Sequence, residues 1–233
     1  MVNIKEEQYI EVCGQRVRIE VRRHHRAKRT SLRVAHTGQS LVLTLPMRGS
    51  LQKALAFVQQ KSGWVQQRLA EMPKILTFND VVSVSVLGVA HTLQRKQGRG
   101  ITRIVDTRIE VYGSEAFSGR RLKDMLKKHM LEVCQRYVSH YTKVLNVSAK
   151  AVRVGEMKSR WGSCSASGRL AFNWRLVFAP EYVVAYLVAH EVAHLKEMNH
   201  SPRFWQQVAL LCPSYMQARG WLKKNGQGLY RFG

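Results

Sequence analysis

The first part of the chain alternates apolar and polar residues over short stretches, as strands with one buried face do. The alternation spans residues 9–45, and its apolar positions are Val17, Ile19, Val21, Leu32, Val34, Leu41, Leu43 and Leu45. Gly14, Thr37-Gly38 and Pro46 interrupt it, so the pattern predicts an antiparallel meander. Ser50 is placed to cap a following helix that runs to about Met72.

A second group of predicted strands and a long helix follow. Alternating residues and glycine turns predict strands over residues 82–112, and apolar residues at helical spacing predict a helix over about 118–145. Short strands near 152–154 and 170–172 and two more helices complete the pattern. The predicted class is α+β. Residues 1–115 form a basic, strand-rich N-terminal region with antiparallel strands and a helix. Residues 116–233 form a helical C-terminal region with a small sheet, and the two can also make one compact unit.

The first of the last two predicted helices carries candidate chemistry. Residues 182–195 are almost continuously apolar except for His190, Glu191 and His194. Two histidines four residues apart lie on one face of a helix and can share a metal ion, while Glu191 can reach a water on that metal. A carboxylate in so apolar a helix is costly unless it has a partner or a catalytic role. The alternative is a buried helix that carries these three residues by chance.

His200 is a candidate third ligand. If the helix simply continued, the six residues after His194 would turn about 600° and rise about 9 Å, and His200 would point away. The helix must therefore end first: Asn199 suits a left-handed exit, and Ser201-Pro202 suits the start of a new helix. Three protein ligands with an open fourth position are typical of catalytic zinc, here one ion per chain. The alternative is an ordinary loop histidine.

Four stretches follow one another within residues 160–205: RWGSC at 160–164, FNWRL at 172–176, AHEVAHL at 189–195 and MNHSPRFW at 198–205. In the order and spacing of these stretches, the segment resembles the YgjP-like metallopeptidase family and, more distantly, SprT-type zincins. The resemblance implies a zincin-like catalytic region and a zinc-dependent hydrolase with His190, His194 and His200 as ligands and Glu191 as base. It does not imply a substrate.

The ligand set predicts a mechanism. Three neutral imidazoles leave the charge of zinc largely undiminished, so water on it ionises near neutral pH, with Glu191 taking the proton. The developing oxyanion needs a further donor, and the candidates for this role or for substrate contact are Arg160, Asn173, Arg175 and Tyr215. The sequence does not choose among them.

The chain is strongly basic, with 38 Lys and Arg against 15 Asp and Glu, a formal net charge of +23 and a pI near 10.5. Such a field favours polyanions: nucleic acid, nucleotides or an anionic membrane surface. The densest cluster is residues 22–29, and others lie at 95–99 and 120–128. Each can also be an ordinary solvated surface.

Other features predict a cytoplasmic protein without a membrane span. No stretch approaches the roughly 18 consecutive apolar residues that cross a bilayer, and residues 1–7 lack the apolar core of a signal peptide. The cysteines, Cys13, Cys134, Cys164 and Cys212, are scattered without paired spacing, which indicates reduced thiols.

Three functions are consistent with these features. The first is a zinc metallopeptidase acting on a peptide or protein, and this is the function we expect. The second is a zinc-dependent hydrolase of a nucleotide or another phosphorylated substrate, which the positive charge would attract. The third is a nucleic-acid-binding protein with a structural metal site. A protease stimulated by DNA would combine the first and the third.

Overall fold

The computed structural model describes residues 5–35, 40–71, 75–157 and 160–232. The chain divides into a first unit, Met1–Ile75, and a second unit, Leu76–Gly233. Within the described residues the structure is a mixture of helices and small sheets, so the predicted α+β class is confirmed. None of the described helices is long and apolar enough to cross a membrane.

The first unit is a four-stranded sheet with two helices. Its elements are β1 (Lys5–Val12), β2 (Gln15–Arg23), β3 (Ser31–Val34), β4 (Ser40–Leu45), α1 (Leu51–Gln60) and α2 (Ser62–Ala70). Alternate residues of β2 and β4, such as Ile19 and Leu43, are buried in one core with Ala54 and Val58 of α1 and Val65 of α2. The predicted single helix is thus two helices that meet at Lys61. The predicted turn at Thr37-Gly38 and the predicted helix end at Met72 lie outside the described residues.

The strand order of this sheet differs from a meander. The order is β1-β2-β4-β3, in which β1–β2 and β3–β4 are antiparallel pairs but β2 and β4 are parallel. The reason is that β4 is the more apolar strand, with Leu41, Val42, Leu43 and Leu45 buried, and therefore takes the central place. The shorter β3 lies at the edge, and the connection over residues 24–30 is long enough to allow this order.

The second unit begins with a sheet of the same design. Its first elements are β5 (Ser83–Val86), β6 (Val89–Lys96), β7 (Arg103–Val105), β8 (Arg108–Tyr112) and the long helix α3 (Glu115–Leu145). The order is β5-β6-β8-β7, with antiparallel hairpins joined by the parallel pair β6–β8. The first hairpin of each unit turns through two residues of positive φ, Cys13-Gly14 (49° and 78°) and Leu87-Gly88 (52° and 91°). Such pairs favour glycine at the second position.

The sequence placed a boundary at residues 115/116, whereas the structure divides at 75/76. The cause is packing: the buried residues of β5–β8, such as Val84 and Ile109, belong to the same core as Leu122 and Leu126 of α3. This second sheet therefore forms one unit with the C-terminal helices.

The remaining elements of the second unit carry the candidate site. They are a three-stranded sheet of β9 (Ala151–Gly155), β10 (Gly162–Cys164) and β11 (Arg169–Asn173), a 3₁₀ segment (Trp174–Phe178), α4 (Glu181–Ala193), α5 (Pro202–Leu211), α6 (Tyr215–Asn225) and a final 3₁₀ segment (Gly226–Arg231). The order of the sheet is β10-β11-β9, so β10 is an edge strand. Ten of the 13 residues of α4 are buried, which makes this helix a fixed central support.

Candidate metal centre

Helix α4 places two histidines together at its C-terminal end. The ring centroids of His190 and His194 are 5.0 Å apart, and His194 is the C-cap residue. The Nδ1 atom of His194 lies 3.0 Å from the carbonyl oxygen of Glu197. In the tautomer that donates this hydrogen bond, the Nε2 lone pair of His194 is left free to bind a metal.

The chain turns back directly after His194. The backbone N–H groups of Lys196 and Glu197 both donate to the carbonyl of Ala193, at 3.0 and 2.9 Å, which ends the helix within one turn. Ser201 then caps α5 by accepting from the N–H of Phe204 at 3.4 Å, with Pro202 at the first helical position. The predicted start of α5 is confirmed.

The prediction of a left-handed Asn199 is wrong. Among the described non-glycine residues, positive φ occurs at Cys13, Leu87, Asp106 and Asn146. Asn199 acts through its side chain instead, because its Oδ1 accepts from the N–H of Ser201 at 3.1 Å. The turn is therefore made earlier, and Asn199 fixes the approach to α5.

This turn brings His200 to the other two histidines. Its Nε2 lies 3.2 Å from the Nε2 of His190, and one ring nitrogen of each of the three histidines lies within 4.8 Å of the others. Zinc with tetrahedral Zn–N bonds of about 2.0–2.1 Å requires nitrogen atoms roughly 3.3 Å apart. Among the described residues, these three histidines are the one group of at least three potential metal ligands whose ligand atoms lie this close together.

The electrostatics of the group fit a metal ion. Burial and then the neighbouring imidazoles of His194 and His200 lower the pKa of His190 to about 3, and burial lowers the pKa of His194. Both rings are therefore neutral near pH 7 and offer lone pairs. The Nδ1 of His190, the ring nitrogen that does not face His200, is buried without a hydrogen-bond partner among the described residues.

Glu191 follows His190 on α4 and lies in a narrow space. Its side chain is buried, and burial raises its pKa to about 7 against the opposing charge of Arg160. A Cβ at Gly162 would lie 2.5 Å from Oε1 and 2.7 Å from Cγ of Glu191, so only glycine leaves room for the carboxylate. In the sequence Gly162 appears only within the RWGSC stretch, and nothing local reveals its contact with Glu191.

Aromatic side chains surround the histidines. Phe204 is fully buried, and its ring centroid lies 4.9, 4.5 and 4.7 Å from those of His190, His194 and His200. Trp205 stacks against His200 at 5.9 Å and against Tyr215 at 5.6 Å. Phe204 therefore packs against all three imidazoles.

Two of the four candidate oxyanion or substrate contacts lie near the group. The charge of Arg160 acts on Glu191, and its side chain is exposed. Tyr215 is half-buried between Trp205 and Tyr186, the latter of which has its ring centroid 6.0 Å from that of His190.

The other two candidates are engaged elsewhere. Asn173 is fully buried, donates to the carbonyl of Met157 at 2.9 Å and caps the 3₁₀ segment by accepting from the N–H of Arg175. Arg175 is also buried, donates to the carbonyl of Phe232 at 2.8 Å and forms an ion pair with Glu156. Their polar atoms hold the C-terminal segment, so the structure gives them a framework role.

A charged residue that the sequence did not single out lies close to the site. The guanidinium of Arg219 on α6 is 5.0 Å from the ring centroid of Trp205. After burial and the other imidazoles, its charge is a further cause of the lowered pKa of His190. No carboxylate among the described residues forms an ion pair with it within 4 Å, so its charge is directed to the site and to solvent. The closeness of Arg219 to the site is apparent only from the position of α6 in the fold.

A comparison with protein-family models matches residues 28–225 to the YgjP-like, metallopeptidase domain. The chain belongs to the YgjP-like metallopeptidase family. The resemblance and the expected peptidase class are therefore confirmed. Because the family match covers most of the chain, this YgjP-like protein is assigned as a metal-dependent hydrolase of peptides. A search of curated proteins finds no match.

Among solved structures, this YgjP-like chain is similar to the metallopeptidase zymogen abylysin of Pyrococcus abyssi. The two are 22% identical, and the matched part covers 39% of this chain and 93% of the other, with a TM-score of 0.34.

Proposed function

We propose that the protein is a zinc metallopeptidase in which His190, His194 and His200 hold one zinc ion and Glu191 is the general base. The observation that carries this proposal is the convergence of three ring nitrogens within 4.8 Å beside a buried glutamate. Three imidazole nitrogen donors without a thiolate favour zinc and leave a position open for substrate.

The metal and the side chains of the site have separate roles in the proposed reaction. Zinc, when bound, supplies a Lewis acid that polarises the peptide carbonyl and acidifies water. Glu191, whose pKa is about 7, accepts the proton of the attacking water and passes it to the leaving nitrogen. The absence of a side chain at Gly162 leaves room for that carboxylate. Arg160 and Tyr215 remain the candidate contacts for the developing oxyanion or the substrate.

A second candidate reaction is hydrolysis of a nucleotide or another phosphorylated substrate. The observation in its favour is the positive charge that Arg160 and Arg219 bring to the site. Release of phosphate or nucleoside monophosphate by the zinc-loaded protein, without cleavage of an unfolded protein, would replace the peptidase proposal. A purely structural metal would not require the buried carboxylate of Glu191 next to His190, and this burial favours the catalytic proposal.

The test combines metal content with cleavage of an unfolded protein substrate. We expect about one zinc per wild-type chain by elemental mass spectrometry, and loss of that zinc in His194→Ala and in His200→Ala. His140→Ala is the matched control, because His140 is exposed on α3. Retention of zinc in His200→Ala would contradict the assignment of His200 as the third zinc ligand.

Glu191→Gln separates catalysis from metal binding. It removes the proton acceptor but none of the three imidazoles, so zinc should remain while cleavage falls roughly 10²–10⁴-fold. If this variant cleaved the substrate at the wild-type rate, Glu191 would not be the general base.

A further inference from the structure

The first unit contains a long stretch without acidic residues. Between Glu20 and Glu71 there is no Asp or Glu, but there are ten basic residues: Arg22, Arg23, Arg26, Lys28, Arg29, Arg33, Arg48, Lys53, Lys61 and Arg68. In the whole chain 15 acidic residues accompany 38 basic ones, so this stretch lacks the local neutralisation found elsewhere. The positive charge of the first unit is therefore concentrated in this stretch.

The fold gathers part of this charge at one edge of the sheet. Because β2 and β4 are parallel and end in register at Arg23 and Leu45, the loops that follow them leave from the same edge. The N–H of His24 donates to the carbonyl of Leu45 at 2.9 Å. Arg23 donates to the carbonyls of Met47 and Gly49 at 3.0 and 2.7 Å. Three hydrogen bonds thus tie the two loops together.

We call the surface formed by these loops and the first turn of α1 the basic edge. It carries five exposed cations: Arg26, Lys28, Arg29, Arg48 and Lys53. Among the described residues of the first unit, the ion pairs involve Arg18, Arg22 and Arg68, and none involves these five. Their charges consequently face solvent without an internal partner.

We propose that the basic edge binds the phosphate backbone of nucleic acid. Several unpaired cations on tied loops can each replace a counterion at a phosphate, which gives binding that depends on charge and not on base sequence. An anionic membrane fits less well, since insertion requires an exposed apolar face. Val58 of α1 and Val65 of α2 are buried in the core. Trp64 of α2 is partly exposed but is not part of the basic edge, where Met47 is the one large hydrophobic residue that is exposed.

The number of cations sets the expected salt dependence. Five phosphate contacts correspond to a slope of log K against log salt of about −4.5, or roughly a 500-fold loss of affinity between 50 and 200 mM salt. This binding does not involve the histidine group, so its failure would leave the peptidase proposal unaffected.

The test is fluorescence anisotropy of a labelled 20-base-pair duplex of arbitrary sequence with the full chain. In the triple variant Arg26→Gln, Lys28→Gln, Arg29→Gln two contacts remain, so the slope should fall to about −1.8 and affinity at 50 mM salt should drop at least about tenfold. The three side chains are exposed, so circular dichroism and zinc content should match the wild type.

The matched control removes the same charge from other surfaces of the first unit, as Arg16→Gln, Arg18→Gln, Lys61→Gln. Arg16 is at the opposite end of β2, about 23 Å along the strand from Arg23, and Lys61 is at the opposite end of α1 from Ser50. We expect this variant to keep most of the wild-type slope. Equal effects of the two triple variants would overturn the proposal, because net charge alone would then explain binding. Binding to anionic phospholipid vesicles without binding to the duplex would also overturn it.

Discussion

Gly162→Ala tests the contact that positions the proposed base. The added Cβ would lie 2.5, 2.7 and 2.9 Å from Oε1, Cγ and Cδ of Glu191, distances that real Cβ atoms essentially never show. One of the two residues must therefore move. Glu191 is on the buried helix α4 and Gly162 is paired with Phe172 in β10–β11, so the glutamate side chain is the part that can move most easily.

The size of the effect follows from the overlap. Forcing extra atoms into a packed interior typically destabilises by about 1–3 kcal/mol. For a domain of this size, each kcal/mol lowers the melting temperature by roughly 2–4 °C. A carboxylate displaced by about 1 Å from its working position lowers the rate by roughly 10²-fold. Zinc content should not change, because the three atoms nearest to the new methyl group all belong to Glu191 and none to a histidine.

The assay measures thermal unfolding, zinc content and substrate cleavage on the same preparations. Gly155→Ala is the matched control in the same sheet, because a Cβ there meets no atom within 4 Å. The double variant Gly162→Ala, Glu191→Asp shortens the acid by one methylene and should recover part of the lost stability but not the activity. Wild-type cleavage and stability in Gly162→Ala would refute the argument that this glycine positions the base.

Three further predictions concern the surroundings of the site. Asn146 ends α3 with φ 51° and ψ 51°, so Asn146→Ala should lower the free energy of unfolding by about 1 kcal/mol while Asn146→Gly should not, as measured in urea titrations. Ser201→Ala removes the cap of α5 next to His200, so it should cost about 1 kcal/mol and weaken zinc binding in a chelator competition; unchanged zinc affinity would mean that Asn199 alone orients the ligand. Burial raises the pKa of Glu156, but the hydrogen bond and charge of Arg175 outweigh it and hold the pKa below its ordinary value of 4.5. The stability advantage of wild type over Glu156→Gln should thus be constant near neutral pH and shrink as pH falls below about 4.5, and an advantage that grew on acidification would contradict the ion pair.

The sequence predicts best where the signal is local. Histidines four residues apart in an apolar helix share a face whatever the rest of the fold does, so His190 and His194 could be paired from spacing alone. The third ligand required a turn, and its cap at Ser201 was readable, but the turn itself was assigned to the wrong residue. Many short loops can reverse a chain after a helix, and the backbone bonds to Ala193 that select this one depend on the folded geometry.

The roles of polar residues were harder to predict, for a different reason. Asn173 and Arg175 are in a stretch that resembles the family, and their side chains are suited to oxyanion stabilisation. A side chain that can donate to an oxyanion can equally donate to a carbonyl. Only the fold shows that Met157 and Phe232 provide those carbonyls. Arg219 is the opposite case, since its proximity to Trp205 arises from the packing of α6 and leaves no trace in the local pattern.

The repeated sheet shows how little sequence such a design needs. Buried positions 10, 12, 17 and 19 of the first hairpin correspond, at a constant offset of 74, to buried positions 84, 86, 91 and 93 of the second, with Gly14 matching Gly88 at the turn. The residues themselves differ at most of these positions: Ile10, Val12, Val17 and Ile19 become Val84, Val86, His91 and Leu93. Burial and the positive φ of the turn glycine constrain only about five sites in each hairpin, and an apolar core accepts many residues at four of them. No internal repeat is visible in the sequence, yet the same topology forms twice. This topology places few constraints on the other positions of each hairpin, so the second sheet can pack in the same core as the helix of the candidate metal centre while the first sheet presents the proposed basic edge.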